Sequence, residues 1–179
     1  MAGKLFPKVA GPRIFNTRQE VFFFATPSGD PSFGPGGLPT WIDLTAEAYG
    51  LPDLDGRGLK LGIDRHGPAF DPDTGSRQPT AEAAQRARDY LTRRLPALQG
   101  AQITETRVCQ NANTSSGVFL LDRHPAFQNV WLAGGGSGHG FKHGPMVGKY
   151  LAARIMDDGP AEPRFSLESK QSAQNRSIF

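Results

Sequence analysis

With 179 residues the chain is long enough for one domain with a real core and too short for two full ones. Its 37% hydrophobic and 21% charged residues describe a globular protein, and no apolar run nears the ~20 residues of a membrane helix, which excludes a spanning segment. The formal charge of +3 comes from scattered Arg and Lys rather than from blocks, which argues against nucleic-acid binding.

The opening MAGKLFPKVAGPRIFN has no signal-peptide h-region, so a cytoplasmic location is expected. A single cysteine, Cys109, excludes an internal disulfide and suits a reducing compartment. Along the chain, QEVFFFATP (Gln19–Pro27) predicts a buried strand ending in turn residues. SGDPSFGPGGLPT is a loop, TWIDL a second short strand, and YGLPDLDGRG turn chemistry leading into a third strand, LKLGIDRHG. PAFDPDTGSRQP is a loop without periodicity. Thr80 predicts a helix N-cap with Glu82 in the first turn. Ala84, Ala87, Leu91 and Leu95 then form one amphipathic stripe, and Arg86, Arg88, Arg93 and Arg94 fall mostly off it on a solvated face.

AQITETRVCQ, VFLLDRHP and NVWLAGG predict three more strands. A last helix is expected from about Pro145 to Asp157, stopped by DDGPAEP, with SKQSAQNRSIF as a frayed polar tail. The fold class is α+β: mostly antiparallel strands with one inserted helix, then a strand–Gly-rich turn–helix unit.

That terminal unit, WLAGGGSGHGFKHGPMVGKYLAARI (Trp131–Ile155), carries the strongest chemical signal. A glycine turn before a helix presents free backbone N–H groups and the positive end of the helix dipole, and Lys142 adds a full charge there. Missing side chains at Gly134, Gly135, Gly136, Gly138 and Gly140 would let an anion or a flat group approach the main chain. The same glycines would also pack a helix tightly onto a strand, and the residues alone leave both readings open. No placement of G-x-G-x-x-G fits the stretch. His139 and His143 lack the carboxylate company of a metal pair, Asp122 in DRHP reads as a turn cap, and FDPDTG lacks the spacing of a calcium loop.

In this order, RQEVFFF, YGLP, GLKLG, DPDTG, VCQ, DRHP and GGGSGHGFKHGP resemble the monomeric sarcosine oxidase branch of the FAD-dependent, D-amino-acid-oxidase-like oxidoreductases. The likeness runs from about Lys4 to Leu167 and covers the C-terminal half of such an enzyme. Family members open with a Rossmann-type strand–GxGxxG–helix for the ADP part of FAD, which this chain does not contain. The resemblance therefore implies a missing N-terminal ADP-binding half or a partner chain. It divides the chain into a substrate-binding part (residues 1–112), the C-terminal segment of an FAD-binding domain (113–158) and a polar tail (159–179).

The resemblance implies FAD as cofactor, with Gly136, Ser137, Gly138, His139, Gly140 and Lys142 facing the isoalloxazine ring, and Lys142 also binding a substrate carboxylate. Cys109 matches the cysteine that forms a thioether to the flavin, although Asn111 stands where an aromatic is usual. Lys60 matches a lysine near flavin N5 that promotes electron transfer to oxygen; without the family it reads as a lysine on an exposed strand edge. Tyr49 matches a hydroxyl lining the substrate pocket, and otherwise reads as a packing tyrosine. Asp64 departs from the histidine that sarcosine oxidases carry at this strand position, with His66 two residues on. The implied function is oxidation of the C–N bond of a small amine or amino acid, with electrons passing to flavin and then oxygen. The alternative is a non-catalytic fragment or subunit that needs a separate Rossmann-type chain.

Overall fold

The computed structural model describes residues 2–156 and 159–170. In chain order the elements are α1 (Ala2–Leu5), β1 (Ile14–Phe24), β2 (Trp41–Asp43), β3 (Ala48–Leu51), β4 (Leu59–Ile63), α2 (Ala81–Arg94), β5 (Ile103–Thr114), β6 (Leu120–Arg123), β7 (Trp131–Gly134) and α3 (Gly140–Ile155). The larger sheet has the order β2-β3-β4-β1-β5, and β6 pairs with β7 in a two-stranded sheet. The β2–β3, β3–β4, β1–β4 and β6–β7 pairings are all antiparallel. The architecture is thus mixed α and β around an antiparallel sheet.

The chain forms two compact units: the stretch up to Thr17, Ala69–Asp73 and the stretch from Gln110 onward make one, and Arg18–Pro68 with Thr74–Cys109 the other. The division runs through β1 and β5, and residues before Arg18 group with the later part of the chain.

In the unit of Arg18–Pro68 and Thr74–Cys109, Phe22 and Phe24 of β1 with Leu59 and Leu61 of β4 pack against Ala83, Ala87, Tyr90 and Leu91 of α2, and Leu98 closes the cluster. Thr80 caps α2, its hydroxyl oxygen accepting from Ala83 N–H at 3.2 Å while its own N–H and O–H donate to Glu20. The buried stripe is rotated from the expected one toward Ala83 and Tyr90, with Ala84 and Leu95 at its margin. Tyr90 can lie inward because its hydroxyl donates to Asp43 at 3.2 Å and its ring stacks on Trp41 at 5.7 Å. In the other unit Leu120, Leu132 and Leu167 pack with Phe6, Val9 and Ile14.

Three elements differ from the sequence expectation. β1 begins at Ile14, not Gln19, because its first half buries polar residues: Thr17 accepts from Asn113 Nδ2 at 2.9 Å in one unit. In the other, Gln19 clamps the Arg65 carbonyl at 2.9 Å and the Gly67 N–H at 2.8 Å. β3 was hidden by its turn-like composition; Trp41 lays its indole over Gly50 directly opposite and covers the glycine. α3 begins at Gly140, so Pro145 sits inside it. Proline there forgoes the bond to the Phe141 carbonyl, and Gly144 before it has no β-carbon to crowd the ring.

No residue of α3 is buried, and Phe141 is 100% exposed. The expected helix end at Asp157 and residues 171–179 of the expected tail lie outside the described residues. The described part of that tail, 159–170, is not frayed: Leu167 enters the Leu120–Leu132 cluster, and Lys170 is buried with its ammonium donating to Ser169 Oγ at 3.0 Å. Among the described residues no helix is long and apolar enough to cross a membrane. Replacing the cap, Thr80→Ala, is expected to lower unfolding free energy in urea by about 1 kcal/mol, with Thr80→Ser retaining most of it.

Candidate functional site

The candidate residues fall into two groups, one in each unit. In the first, alternation along β4 turns Leu59, Leu61 and Ile63 toward α2 and leaves Lys60 and Gly62 on the other face. Asp64 continues the ladder by donating its N–H to the Glu47 carbonyl at 2.6 Å. On β3, Tyr49 stands opposite Gly62 and Leu51 opposite Lys60.

Lys60 is half-buried on a strand flanked by β3 and β1, so it is not an edge lysine. Its Nζ lies 5.7 Å from the centroid of the Tyr49 ring, within the range of a cation–π contact. The Tyr49 phenol is pushed up to about 12, first by burial and then by the negative charges of Asp64 and Cys109. It is therefore a neutral hydrogen-bond donor throughout the physiological range. Cys109 is a free, half-buried thiol on β5 close enough to act on that phenol electrostatically. Tyr49, Lys60 and Cys109 are thus gathered in one unit, together with Gly62 and Asp64.

The second group is the glycine turn between β7 and α3. Its backbone enters the left-handed region at Gly135 (φ 69°), Ser137 (φ 45°) and Gly138 (φ 85°). Ser137 tolerates this because it is held from three sides. Its N–H donates to the Ala112 carbonyl at 3.0 Å, its hydroxyl donates to the Gly135 carbonyl at 3.1 Å, and the hydroxyl oxygen accepts from Thr114 N–H at 3.3 Å. At Gly138 a β-carbon would lie 2.9 Å from Asn111 Nδ2, so Asn111 packs directly on this glycine. The residue at the unusual position is part of the turn's wall.

His139 occupies the N-cap of α3 without capping it. One ring nitrogen, Nε2, meets the Gly117 carbonyl at 3.0 Å, while Nδ1 is buried with no hydrogen-bond partner. Phe119 packs edge-on against His139 and His143 at 5.5 and 5.8 Å. Lys142, in the first turn of α3, is exposed and pairs with no carboxylate among the described residues. The uncapped helix end and the unpaired ammonium lack an acceptor or a charge partner, and an anionic cofactor edge fits those two. His139 Nδ1 is an acceptor while Nε2–H donates to the Gly117 carbonyl, and it is enclosed by the protein.

The sequence reading overlooked Gly62 and the Thr114–Phe119 segment behind the turn. A glycine in the middle of a strand was the available signal for the first. The second is carried by backbone geometry and leaves no motif. Asp122, read as a turn cap, binds Arg123 N–H at 2.8 Å and also reaches Leu167 N–H at 2.8 Å.

Comparison with known proteins gives the set a context. The profile of the FAD dependent oxidoreductase family, DAO, matches residues 1–154. A monomeric sarcosine oxidase of Arthrobacter sp. (strain TE1826) is 38% identical over 157 residues, covering 85% of this chain and 39% of that protein. The monomeric sarcosine oxidase of Bacillus sp. (strain NS-129) is 37% identical over 123 residues, covering 68% and 31%. In fold, the chain is similar to the fructosamine oxidase Amadoriase II of Aspergillus fumigatus, with a TM-score of 0.77 at 21% identity over 93% of this chain and 40% of that one. The chain spans between about a third and two fifths of the length of these relatives.

The raised phenol gives a pH signature. Below the ordinary phenol value near 10 both folded and unfolded chains hold Tyr49 protonated, and its contribution to stability is intact. As pH rises from there through about 12, the unfolded phenol ionises while the folded one resists, so stability falls. Denaturant titrations across this window should show an extra loss of about 2–3 kcal/mol in the unaltered chain that Tyr49→Phe lacks.

Proposed function

Since this chain belongs to the DAO family of FAD-dependent oxidoreductases, we propose that it supplies the substrate-binding face and part of the flavin-binding wall of an amine or amino-acid oxidase. The single observation that carries the reading is the uncapped start of α3 behind a pinned glycine turn, with Lys142 on its first turn. When bound, FAD supplies the two-electron acceptor for C–N oxidation. Gly136, Gly138, Gly140 and Lys142 would hold it through main-chain N–H groups and the lysine charge, with Ser137 and His139, whose N–H groups are already bonded, shaping the wall beside it.

The remaining roles fall to Lys142 and to the Tyr49, Lys60 and Cys109 group. Lys142 would pin a substrate carboxylate, and Tyr49 would donate a hydrogen bond to substrate from a phenol that stays protonated. Lys60, held beside that ring, would provide the positive charge that favours electron transfer to oxygen. Cys109 would be the attachment point for a covalent flavin. An ADP-binding portion, on the same polypeptide or a separate chain, would complete the site, in keeping with the greater length of the relatives. Relatives named for sarcosine and L-saccharopine support a small amine or amino acid as substrate.

The test is a fluorescence titration of FAD with the chain. Quenching is expected, weakened about tenfold by Lys142→Glu and preserved by Lys142→Arg. No quenching by the unaltered chain, alone or combined with an ADP-binding portion, would sink the reading. Acid precipitation of the flavin-loaded chain checks the bond: yellow pellets from the unaltered chain and colourless pellets from Cys109→Ser are expected.

A further inference from the structure

Gly62 lies inside β4, and its φ is outside the left-handed region that calls for glycine. What excludes a side chain is the phenol of Tyr49. A β-carbon at position 62 would stand 2.5 Å from Tyr49 Cζ, 2.6 Å from Cε1 and 2.6 Å from the hydroxyl oxygen. It is the hydroxyl end of the ring that rests on the glycine, so the ring lies down across the strand instead of standing upright. The register produces this: Tyr49 is directly opposite Gly62 on one side, and Val21 of β1 is opposite it on the other. Ordinary carbon contact would require the phenol to move by about 1 Å.

The groups facing the phenol come from two strands. Lys60 is two residues before Gly62, with Nζ 5.7 Å from the ring centroid, and Asp64 is two residues after it. Cys109 of β5 acts on the same hydroxyl. We propose that Gly62 is a positioning residue: by having no side chain it seats the Tyr49 hydroxyl on the strand between Lys60 and Asp64, at the place from which it donates to substrate. The seat itself follows from packing; its use toward substrate rests on the function proposed above. Any larger residue at 62 would lift the hydroxyl out of the burial that, with the Asp64 carboxylate, keeps it protonated.

Alkaline titration of tyrosinate absorbance on the full 179-residue chain tests this, with Tyr49→Phe subtracted to isolate the Tyr49 step. In Gly62→Ala the step is expected to move down by about one unit or more, a tenfold change in the ionisation constant, as the phenol reaches water. A step at the same pH in Gly62→Ala overturns the proposal, whatever happens to the melting temperature, because a packing role alone lowers stability without moving the titration. Should Gly62→Ala fail to fold, the unaltered chain decides by NMR: cross-relaxation between the Gly62 α-protons and the Tyr49 ring protons is expected, and its absence overturns the proposal. With an ADP-binding portion supplied and sarcosine as the probe substrate, Gly62→Ala and Tyr49→Phe should raise KM by similar factors; a rise in one alone overturns the role toward substrate. The titration and the NMR need no flavin. A chain that fails to quench FAD but passes both loses the oxidase reading and keeps the seat, whereas one that quenches FAD and fails both loses only the seat.

Discussion

The antiparallel clasp of β4 between β3 and β1 constrains everything on the substrate-side candidate face. Because side chains alternate along a strand, sending Leu59 and Leu61 into the core commits Lys60 and Gly62 to the opposite face. The core therefore fixes the chemistry indirectly. A slip of one residue would bury Lys60 against α2 and expose two leucines, at a cost far larger than any cation–π contact returns. The hydrophobic cluster is what holds an ammonium, a phenol and a carboxylate in one row.

The glycine turn works by a different economy. Its geometry rests on hydrogen bonds to the Ala112 and Thr114 backbone and on close approaches at Gly135 and Gly138, not on apolar burial. Ser137 at φ 45° would ordinarily be strained, and three hydrogen bonds hold it there. The turn is pinned by these bonds, and the helix behind it starts without a side-chain cap. A turn fixed in this way lowers the reorganisation needed to meet a charged ligand.

The sequence made the helix α2, its Thr80 cap and most strands legible, because those depend on local periodicity and capping. It missed β3, where a glycine is covered by a tryptophan from the neighbouring strand, and it shortened β1, whose buried Thr17 and Gln19 look solvent-facing until their partners are known. In the sequence Pro145 marks a helix start more strongly than anything in Gly140–Gly144, although α3 is already wound there. Among site residues, the Gly136–Lys142 stretch stood out by composition. Lys60, Tyr49 and Cys109 were legible only through resemblance, since one lysine, one tyrosine and one cysteine carry no pattern of their own. Gly62 was invisible because its role lies in what is not there.

The bare surface of α3 has a thermodynamic corollary. A 16-residue helix with no fully buried residue, held on one side through Tyr150 against Phe165 and Arg154 over Trp131, draws less from packing than a core helix, and helices of that length are marginal on backbone bonding alone. Its opening amides point in a common direction only while the helix is wound. Winding and ligand capture are consequently linked equilibria: whatever shelters the outer side of α3 also sharpens the grip of the turn, and a ligand seated at the turn props up the helix in return.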